Sequence, residues 1–300
     1  MIERITLVKV KNNEKLVLDM VSTPNFVLKS VDWGTVKGTH HTYKYVNQVG
    51  ASIGNTTLET RPITIEGWII AENESHMTSL KRELNAYVNP QEAIDLHYEG
   101  YKIRFFPDDS VRYSPAYEEN NELFAKFMIY GICPNPLFSD INEKKETFVT
   151  TTPMFHFPLV MASASPEKGV VFGERTSSLL ANVVNEGSVP VGMKIVFKAH
   201  GTVVNPKLIN ANTQEEFKLN KTLVAGEEVH VNTSIGEKGL KGKIGNADLT
   251  NYFMYKDVYS AWLRLEVGDN LFSYGAESGM ANLDVFVYFT NQFLEVEGCR

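Results

Sequence analysis

The sequence predicts a mainly β chain with one helix: an α+β first half followed by a β-sandwich second half. Three observations carry this. Short runs of apolar residues alternate with polar ones at period 2 through both halves. A lone segment keeps helical spacing. Between residues 150 and 300, turn-forming pairs recur at the interval of about 8 to 12 residues that marks sandwiches and barrels. With 300 residues, 43% of them hydrophobic and 11% aromatic, the chain has the material for two packed domains.

Ile5, Leu7 and Val10, then Leu16, Val17 and Leu18, read as two opening strands. From Val31 to Gly54 no period is kept, and the stretch exceeds the roughly 12 to 15 residues of an ordinary loop. A projecting arm or hairpin is expected there. In Arg61–Ile70, Ile63, Ile65 and Ile69 alternate with Thr64, Glu66 and Trp68, the clearest strand of the chain. Trp68 then faces away from the isoleucines and needs cover from another sheet or another subunit.

Met77, Leu80, Leu84, Tyr87 and Val88 predict a helix over 76–88, capped by Ser75 and stopped by Pro90. Ile94, Leu96 and Tyr98, the Glu99-Gly100 turn, and Tyr101, Ile103 and Phe105 predict a hairpin. A strand from Phe124 to Tyr130 runs into Gly131-Ile132-Cys133-Pro134-Asn135-Pro136-Leu137-Phe138, where two prolines are expected to end the sheet. The polar residues 139–152 read as a link, giving domains 1–138 and 153–300. In the second domain Met193-Ile195-Phe197, Val229-Val231, Leu263-Leu265-Val267 and Leu283-Val285-Val287-Phe289 read as strands. Gly173-Glu174, Asn185-Glu186-Gly187, Asn210-Ala211-Asn212, Ala225-Gly226 and Gly268-Asp269-Asn270 read as turns between strands.

A formal charge of -7 without a basic cluster argues against nucleic-acid binding. Cys133 and Cys299 form neither a disulfide framework nor a metal motif. Residues 1–6 are charged where a signal peptide needs an apolar core, and no apolar run approaches about 18 residues. Synthesis in the cytoplasm without membrane insertion is the expectation.

The glycine-rich Gly236–Gly245 departs from a phosphate-binding loop in its spacing and in Ile244 after Lys243, so a mobile, lysine-bearing hairpin tip is expected. His40 and His41 are adjacent and point to opposite faces of a strand, which disfavours a shared metal. Asp108, Asp109, Glu118, Glu119 and Glu122, and later Glu266 and Asp269, cluster as solvated surface acids, with a two-carboxylate glycosidase as the sharper alternative. Trp33, Trp68 and Trp262 fit core packing better than a sugar-stacking platform. No catalytic, metal or cofactor site is expected.

The ordered set of the Arg61–Gly67 strand, the helix closing at Asn89-Pro90, the hairpin, Cys133–Phe138, Gly187–Gly192, Gly201–Pro206, the Asn212-Thr213 turn and Leu265–Asn270 resembles the phage distal tail (Dit) family over nearly the whole chain. The resemblance implies an N-terminal domain that forms a hexameric ring continuing the tail tube and a C-terminal galectin-like sandwich outside it, without active site or cofactor. It implies a hub at the tail tip of the virion, between the tail tube protein, the tape measure, the tail-associated lysin or spike, and receptor-binding proteins. On this view Trp33, His40, His41, Tyr43 and Tyr45 belong to an inter-subunit arm that also covers Trp68, and Cys133, Pro134, Asn135, Pro136, Leu137 and Phe138 form the domain junction. The length leaves no room for inserted carbohydrate-binding modules. Two rivals stay open: a wall-binding carbohydrate module in the second half, and a glycoside hydrolase using Glu118, Glu119 or Glu122.

Overall fold

The computed structural model describes residues 4–21, 25–153, 173–177 and 180–296 and divides the chain into two units, Met1–Asn142 with Gln292–Arg300, and Glu143–Asn291. Cys299 lies outside the described residues.

In the first unit the period-2 runs become β1 (Arg4–Lys9), β2 (Lys15–Asp19), β3 (Phe26–Asp32), β4 (Gly38–Tyr43), β5 (Ser52–Leu58) and β6 (Arg61–Ile70). After α1 (Glu74–Tyr87) follow β7 (Ile94–Tyr98), β8 (Tyr101–Pro107), β9 (Arg112–Tyr113), β10 (Phe124–Cys133) and β11 (Phe138–Asp140). Strands β8, β7, β1, β2, β3, β6 and β10 pair in that order, and β10 pairs again with β8, closing the sheet on itself. β6 and β10 are registered over their full length, from Arg61 opposite Cys133 to Ile70 opposite Phe124. Ile63, Ile65 and Ile69 point into the core, while Thr64, Glu66 and Trp68 lie half-buried on the outside.

Closure depends on close approach of two backbones. Gly131 is registered with Pro107 and Ile132 with Phe106. A Cβ on Gly131 would collide with the Phe105 ring and sit 2.9 Å from the Phe106 carbonyl oxygen. Only glycine lets β8 cross there.

The helix starts two residues before the expected position. Asn73 rather than Ser75 is the cap: its side-chain oxygen accepts from the His76 amide at 2.9 Å and from the Ser75 hydroxyl at 2.9 Å. Asn caps as well as Ser and comes first in the chain. Met77, Leu80, Leu84 and Tyr87 are buried, as their spacing requires. Between β7 and β8, Glu99 and Gly100 both have positive φ, 44° and 91°, the type I′ geometry that suits a two-residue hairpin.

The proline-rich junction is corrected. β10 continues through Gly131 to Cys133, and residues 134–137 are a turn inside the first unit, since β11 re-enters the same sheet beside β8. Nor are residues 139–152 a link. Lys144–Thr147 is strand β12 of the second unit, polar because it is an edge strand with one exposed face. Val149–Pro153 is β13, pairing with β14 (Gly173–Ser177), so Gly173-Glu174 opens a strand rather than making a turn.

The second unit continues with β15 (Leu180–Asn185), β16 (Lys194–Ala199), β17 (Val203–Val204), β18 (Lys207–Asn210), β19 (Glu216–Lys218) and β20 (Thr222–Leu223). Then come β21 (Glu227–Asn232), β22 (Gly239–Ile244), β23 (Thr250–Asn251), β24 (Gly268–Gly275) and β25 (Leu283–Phe289). A six-stranded sheet, β12-β25-β16-β21-β22-β23, and a four-stranded sheet, β15-β24-β18-β19, share one core. Ile195, Phe197, Val229, Val231, Val285 and Val287 contribute from the first, Val183, Leu208, Phe217 and Phe272 from the second. It is an antiparallel sandwich.

Two expectations change here. Leu263-Leu265-Val267 is not a strand; it makes one bridge, Leu265 to Val191, and its alternation buries Leu263 and Leu265. Its ladder begins instead at Gly268, after the Asn270 side chain has tied itself to the Glu266 amide and carbonyl at 2.8 and 2.7 Å. Gly239–Ile244, expected at a mobile tip, is a paired strand. Gly242 is there because the Tyr252 ring occupies the space a Cβ would take.

The end of the chain returns to the first unit, against the expected 153–300 boundary. β26 (Gln292–Phe293) pairs with β11, Phe293 opposite Phe138 and edge-on to Tyr101 at 5.3 Å. Arg61, fully buried at 0% exposure, donates to the Leu294 carbonyl, lies 3.2 Å from the Glu295 carboxylate, and stacks 4.7 Å above the Phe138 ring. Nothing in the mixed composition of 290–296 announces this. Arg61→Ala is expected to lower the stability of the first unit by about 2–3 kcal/mol, the scale of a lost charge-assisted hydrogen bond to a buried acceptor. Urea unfolding followed by the Trp33 and Trp68 fluorescence of that unit measures it.

Candidate assembly surfaces

The stretch without a period folds as the β4–β5 hairpin, a two-stranded sheet that pairs with no other strand among the described residues. Its register runs from Gly38–Leu58 to Tyr43–Ser52, with a bulge between His41 and Thr42. Thr39 donates to the Glu59 carboxylate, His40 Nδ1 lies 2.9 Å from the Thr56 hydroxyl, and Gln48 bridges the Tyr45 amide and Ser52 across the turn. These bonds shape the hairpin but bury almost nothing. Tyr43 and Tyr45 meet edge to face at 5.3 Å, both exposed, and Val46, Val49 and Ile53 are exposed beside them, Val49 completely at 100%. An isolated two-stranded hairpin is marginal in water, and exposed contiguous apolar surface marks an interaction site.

His40, His41, Tyr43 and Tyr45 thus lie together on β4 and its turn. Trp33 does not join them. It is 2% exposed, packed against Tyr98 at 5.6 Å and Phe138 at 5.3 Å, and anchors the base of the hairpin in the barrel core. Trp68 lies half-buried on the outer face of β6, registered with Val27 and Lys126. Cys133 through Phe138 form the internal turn described above. The Cys133 thiol, buried without a disulfide, is pushed up to about 12 by desolvation, which leaves it an inert core group.

A second exposed surface was not visible in the pattern of the sequence. Between Tyr252 and Trp262, Phe253, Met254, Val258 and Tyr259 are exposed, Tyr259 at 94%. The loop carrying them is tightly bonded. The Asp257 carboxylate accepts from the Asn220 side chain and the Tyr259 amide, each at 2.8 Å, and these bonds hold its pKa below the usual range. The Lys256 ammonium donates to the Asp257 and Ser260 carbonyls at 3.0 and 2.6 Å and stands 5.5 Å from the Trp262 ring, its pKa pushed down by burial. The available signal was five large apolar residues, Phe253, Met254, Tyr255, Val258 and Tyr259, in a segment keeping neither period.

Among the described residues the two-carboxylate and metal readings find no geometry. Glu119 accepts from the Ser114 hydroxyl at 2.7 Å and pairs with Lys126, which lowers its pKa where a glycosidic general acid needs it raised. Asp109 pairs with Arg112, and Asp269 accepts from Asn182 at 2.6 Å. Trp33 is buried in the core of the first unit, and Trp262 in the second packs on Phe217 and Phe253, as core packing requires. Among the described residues no group of three or more His, Cys, Asp or Glu could hold a metal, and no helix is long and apolar enough to cross a membrane.

Two family models match, one to each half: a phage tail protein RIFT-related domain over residues 21–150, and the C-terminal domain of a siphovirus-type tail component over residues 186–293. The chain belongs to the siphophage distal tail (Dit) family. Among solved structures, the Dit protein of phage SPP1, titled a paradigm of the hub adsorption apparatus in phages infecting Gram-positive bacteria, is similar. It is 10% identical with a TM-score of 0.66, covering 96% of this chain and 99% of that one. A chain of the phage P2 baseplate in its activated conformation with Ca is 13% identical with a TM-score of 0.50, covering 97% and 98%. At such identities the likeness is one of fold. A search of curated protein sequences returned no significant match. This Dit protein is a structural component of the tail hub or baseplate of a virion, not an enzyme.

Because the β4–β5 hairpin buries so little, replacing residues 38–58 with a short Gly-Ser turn is expected to leave the thermal unfolding midpoint of the isolated chain unchanged. Lys37 and Glu59, which a new turn would bridge, are already joined by a backbone hydrogen bond of 2.8 Å. Calorimetry of the two chains under dissociating conditions checks this.

Proposed function

We propose that this Dit protein forms a hexameric ring at the tail tip, in which the first unit continues the tail tube and each β4–β5 hairpin lies on the neighbouring subunit. The ring then serves as the hub for the lysin or spike and for receptor-binding proteins. The observation that supports this is the uncovered hairpin. A head-to-tail contact, in which every subunit lends one arm and receives one, closes into a ring when the rotation between copies divides the circle. Tyr43, Tyr45, Val46, Val49 and Ile53 are exposed apolar side chains. Each contributes up to about 1.5–3 kcal/mol when fully buried. Five together are on the scale of the association cost, about 4–15 kcal/mol. Trp68 on the outer face of β6 gains its missing cover in the same ring.

The rigid Tyr252–Trp262 loop of the second unit supplies a separate surface, and its position on the sandwich rather than the barrel suits a tail component other than the ring itself. A galectin-like sandwich presenting such an exposed loop fits the hub role.

Sedimentation analysis is expected to give a mass six times that of the chain. The chain lacking residues 38–58 is expected to run as a smaller species at the same concentration. Immunogold labelling of tails should fall at the tip. A monomer at high concentration, together with labelling elsewhere on the tail, would overturn the proposal.

A further inference from the structure

The outer face of the six-stranded sheet in the second unit carries an open groove of about 620 Å³. Strand register makes its floor a grid of three rows. One row, across β25, β16, β21 and β22, is Asp284, Lys198, Glu228 and Lys243. It neutralises itself: Lys198 and Lys243 lie 2.9 and 3.3 Å from Glu228, and Asp284 receives His200 at 2.6 Å. The pairing also holds the Glu228 carboxyl below its usual range. This row closes one side of the groove with no free charge.

The other two rows differ. Thr147, Phe286, Val196, His230 and Lys241 form the middle row, and Lys145, Tyr288, Lys194, Asn232 and Gly239 the outer one. Their centre is apolar and aromatic, with His230 offering hydrogen bonds, while Asn232 is engaged by the groove-lining Glu237 carboxylate at 3.4 Å and by the Ser234 amide at 3.0 Å. Burial lowers the His230 pKa, so its ring is neutral near pH 7 and carries both a donor and an acceptor. Lys194 is engaged by Glu143 at 2.9 Å. At opposite ends stand two lysines with no carboxylate partner among the described residues: Lys241 on β22, and Lys145 on β12, whose ammonium sits 4.5 and 5.6 Å above the Phe286 and Tyr288 rings. Four inter-strand steps of about 4.8 Å separate them by about 19 Å.

We infer that this groove binds a short segment of an acidic saccharide, a chain bearing carboxylate or phosphate groups. Its pyranose faces rest on Phe286, Val196 and Tyr288, and its anionic groups meet Lys145 and Lys241. The groove lining holds four lysines against three glutamates, and two of the lysines have no carboxylate partner among the described residues; in a protein of net charge -7 this is a local reversal of sign that favours an anion. A saccharide is favoured over an acidic peptide because most of the groove crosses the face of the sheet over β25, β16, β21 and β22, each paired on both sides, and only its end reaches the edge strand β12. A peptide laid there finds no main-chain partners, whereas peptide recognition by sheets draws its affinity from an open edge. This site is independent of the ring, so each can fail without the other.

The test is calorimetric titration of the full chain with trigalacturonic acid for the carboxylate form, mannopentaose phosphate for the phosphate form, maltotriose as the neutral control and hexaglutamate as the acidic peptide. At least one acidic saccharide is expected to bind about tenfold more tightly than maltotriose and hexaglutamate. The exposed-site variant Lys145→Gln/Lys241→Gln is expected to lose about tenfold in that affinity while its thermal unfolding stays unchanged. Phe286→Ala should weaken both acidic and neutral saccharides. The inference is overturned if neither acidic saccharide binds, if maltotriose or hexaglutamate binds as tightly, or if the double lysine variant keeps full affinity.

Discussion

The first unit depends on one buried guanidinium. Arg61 begins β6, sits opposite Cys133 at the end of β10, stacks on Phe138 at the start of β11, and bonds the carbonyl of Leu294 near the end of the chain. Four segments far apart in sequence therefore converge on one side chain. Removing a cation from water costs several kcal/mol, and Arg61 offsets this only with a carbonyl, a partly exposed carboxylate and an aromatic face. Arginine suits the position because its planar guanidinium is more weakly hydrated than an ammonium and holds its donors in a fixed fork beside the aromatic face. The same convergence explains why the chain can leave the unit after residue 142, build a complete sandwich, and still finish in the sheet where it started.

How much of this was legible in the sequence follows from the range of each interaction. β6, the β7–β8 hairpin and α1 are set by residues within a few positions of one another, and alternation, the Glu99-Gly100 pair and helical spacing declared them. The hairpin was legible from a missing signal: residues 31–54 keep no period because the hairpin they enter has no buried face to keep one for. The role of Trp33 was not legible, since a tryptophan at the foot of an irregular stretch looks the same whether its ring enters the core or a neighbour. The domain boundary failed for a related reason. Prolines at 134 and 136 stop a strand locally but do not reveal that the chain turns back to the same sheet, and a polar edge strand such as β12 has the composition of a linker.

The two units solve the edge problem of β-sheets differently. The barrel removes most of its edges by pairing β8 with β10, at the cost of requiring glycine at 131. The sandwich keeps edges, and those of its six-stranded sheet are short or polar, with β23 only two residues long and β12 carrying Lys144, Lys145 and Glu146. Sites placed on such scaffolds inherit their rigidity. The Tyr252–Trp262 loop is tied down by the hydrogen bonds of Lys256 and Asp257, which limits the backbone freedom that covering its exposed Met254, Val258 and Tyr259 would cost.

The hairpin is the exception, because a long, exposed, apolar-tipped pair of strands invites indiscriminate association. Its sequence limits that risk without removing the surface. The bulge between His41 and Thr42 bends the pair and disrupts the ladder, so a second strand cannot simply extend it. The polar His40, His41, Asn55, Thr56 and Thr57 occupy the shaft, and the exposed hydrophobes concentrate at and beside the turn. Any partner of the hairpin would therefore have to match a local patch of Tyr43, Tyr45, Val46 and Val49 rather than a generic strand edge, which is the specificity the proposed ring would need.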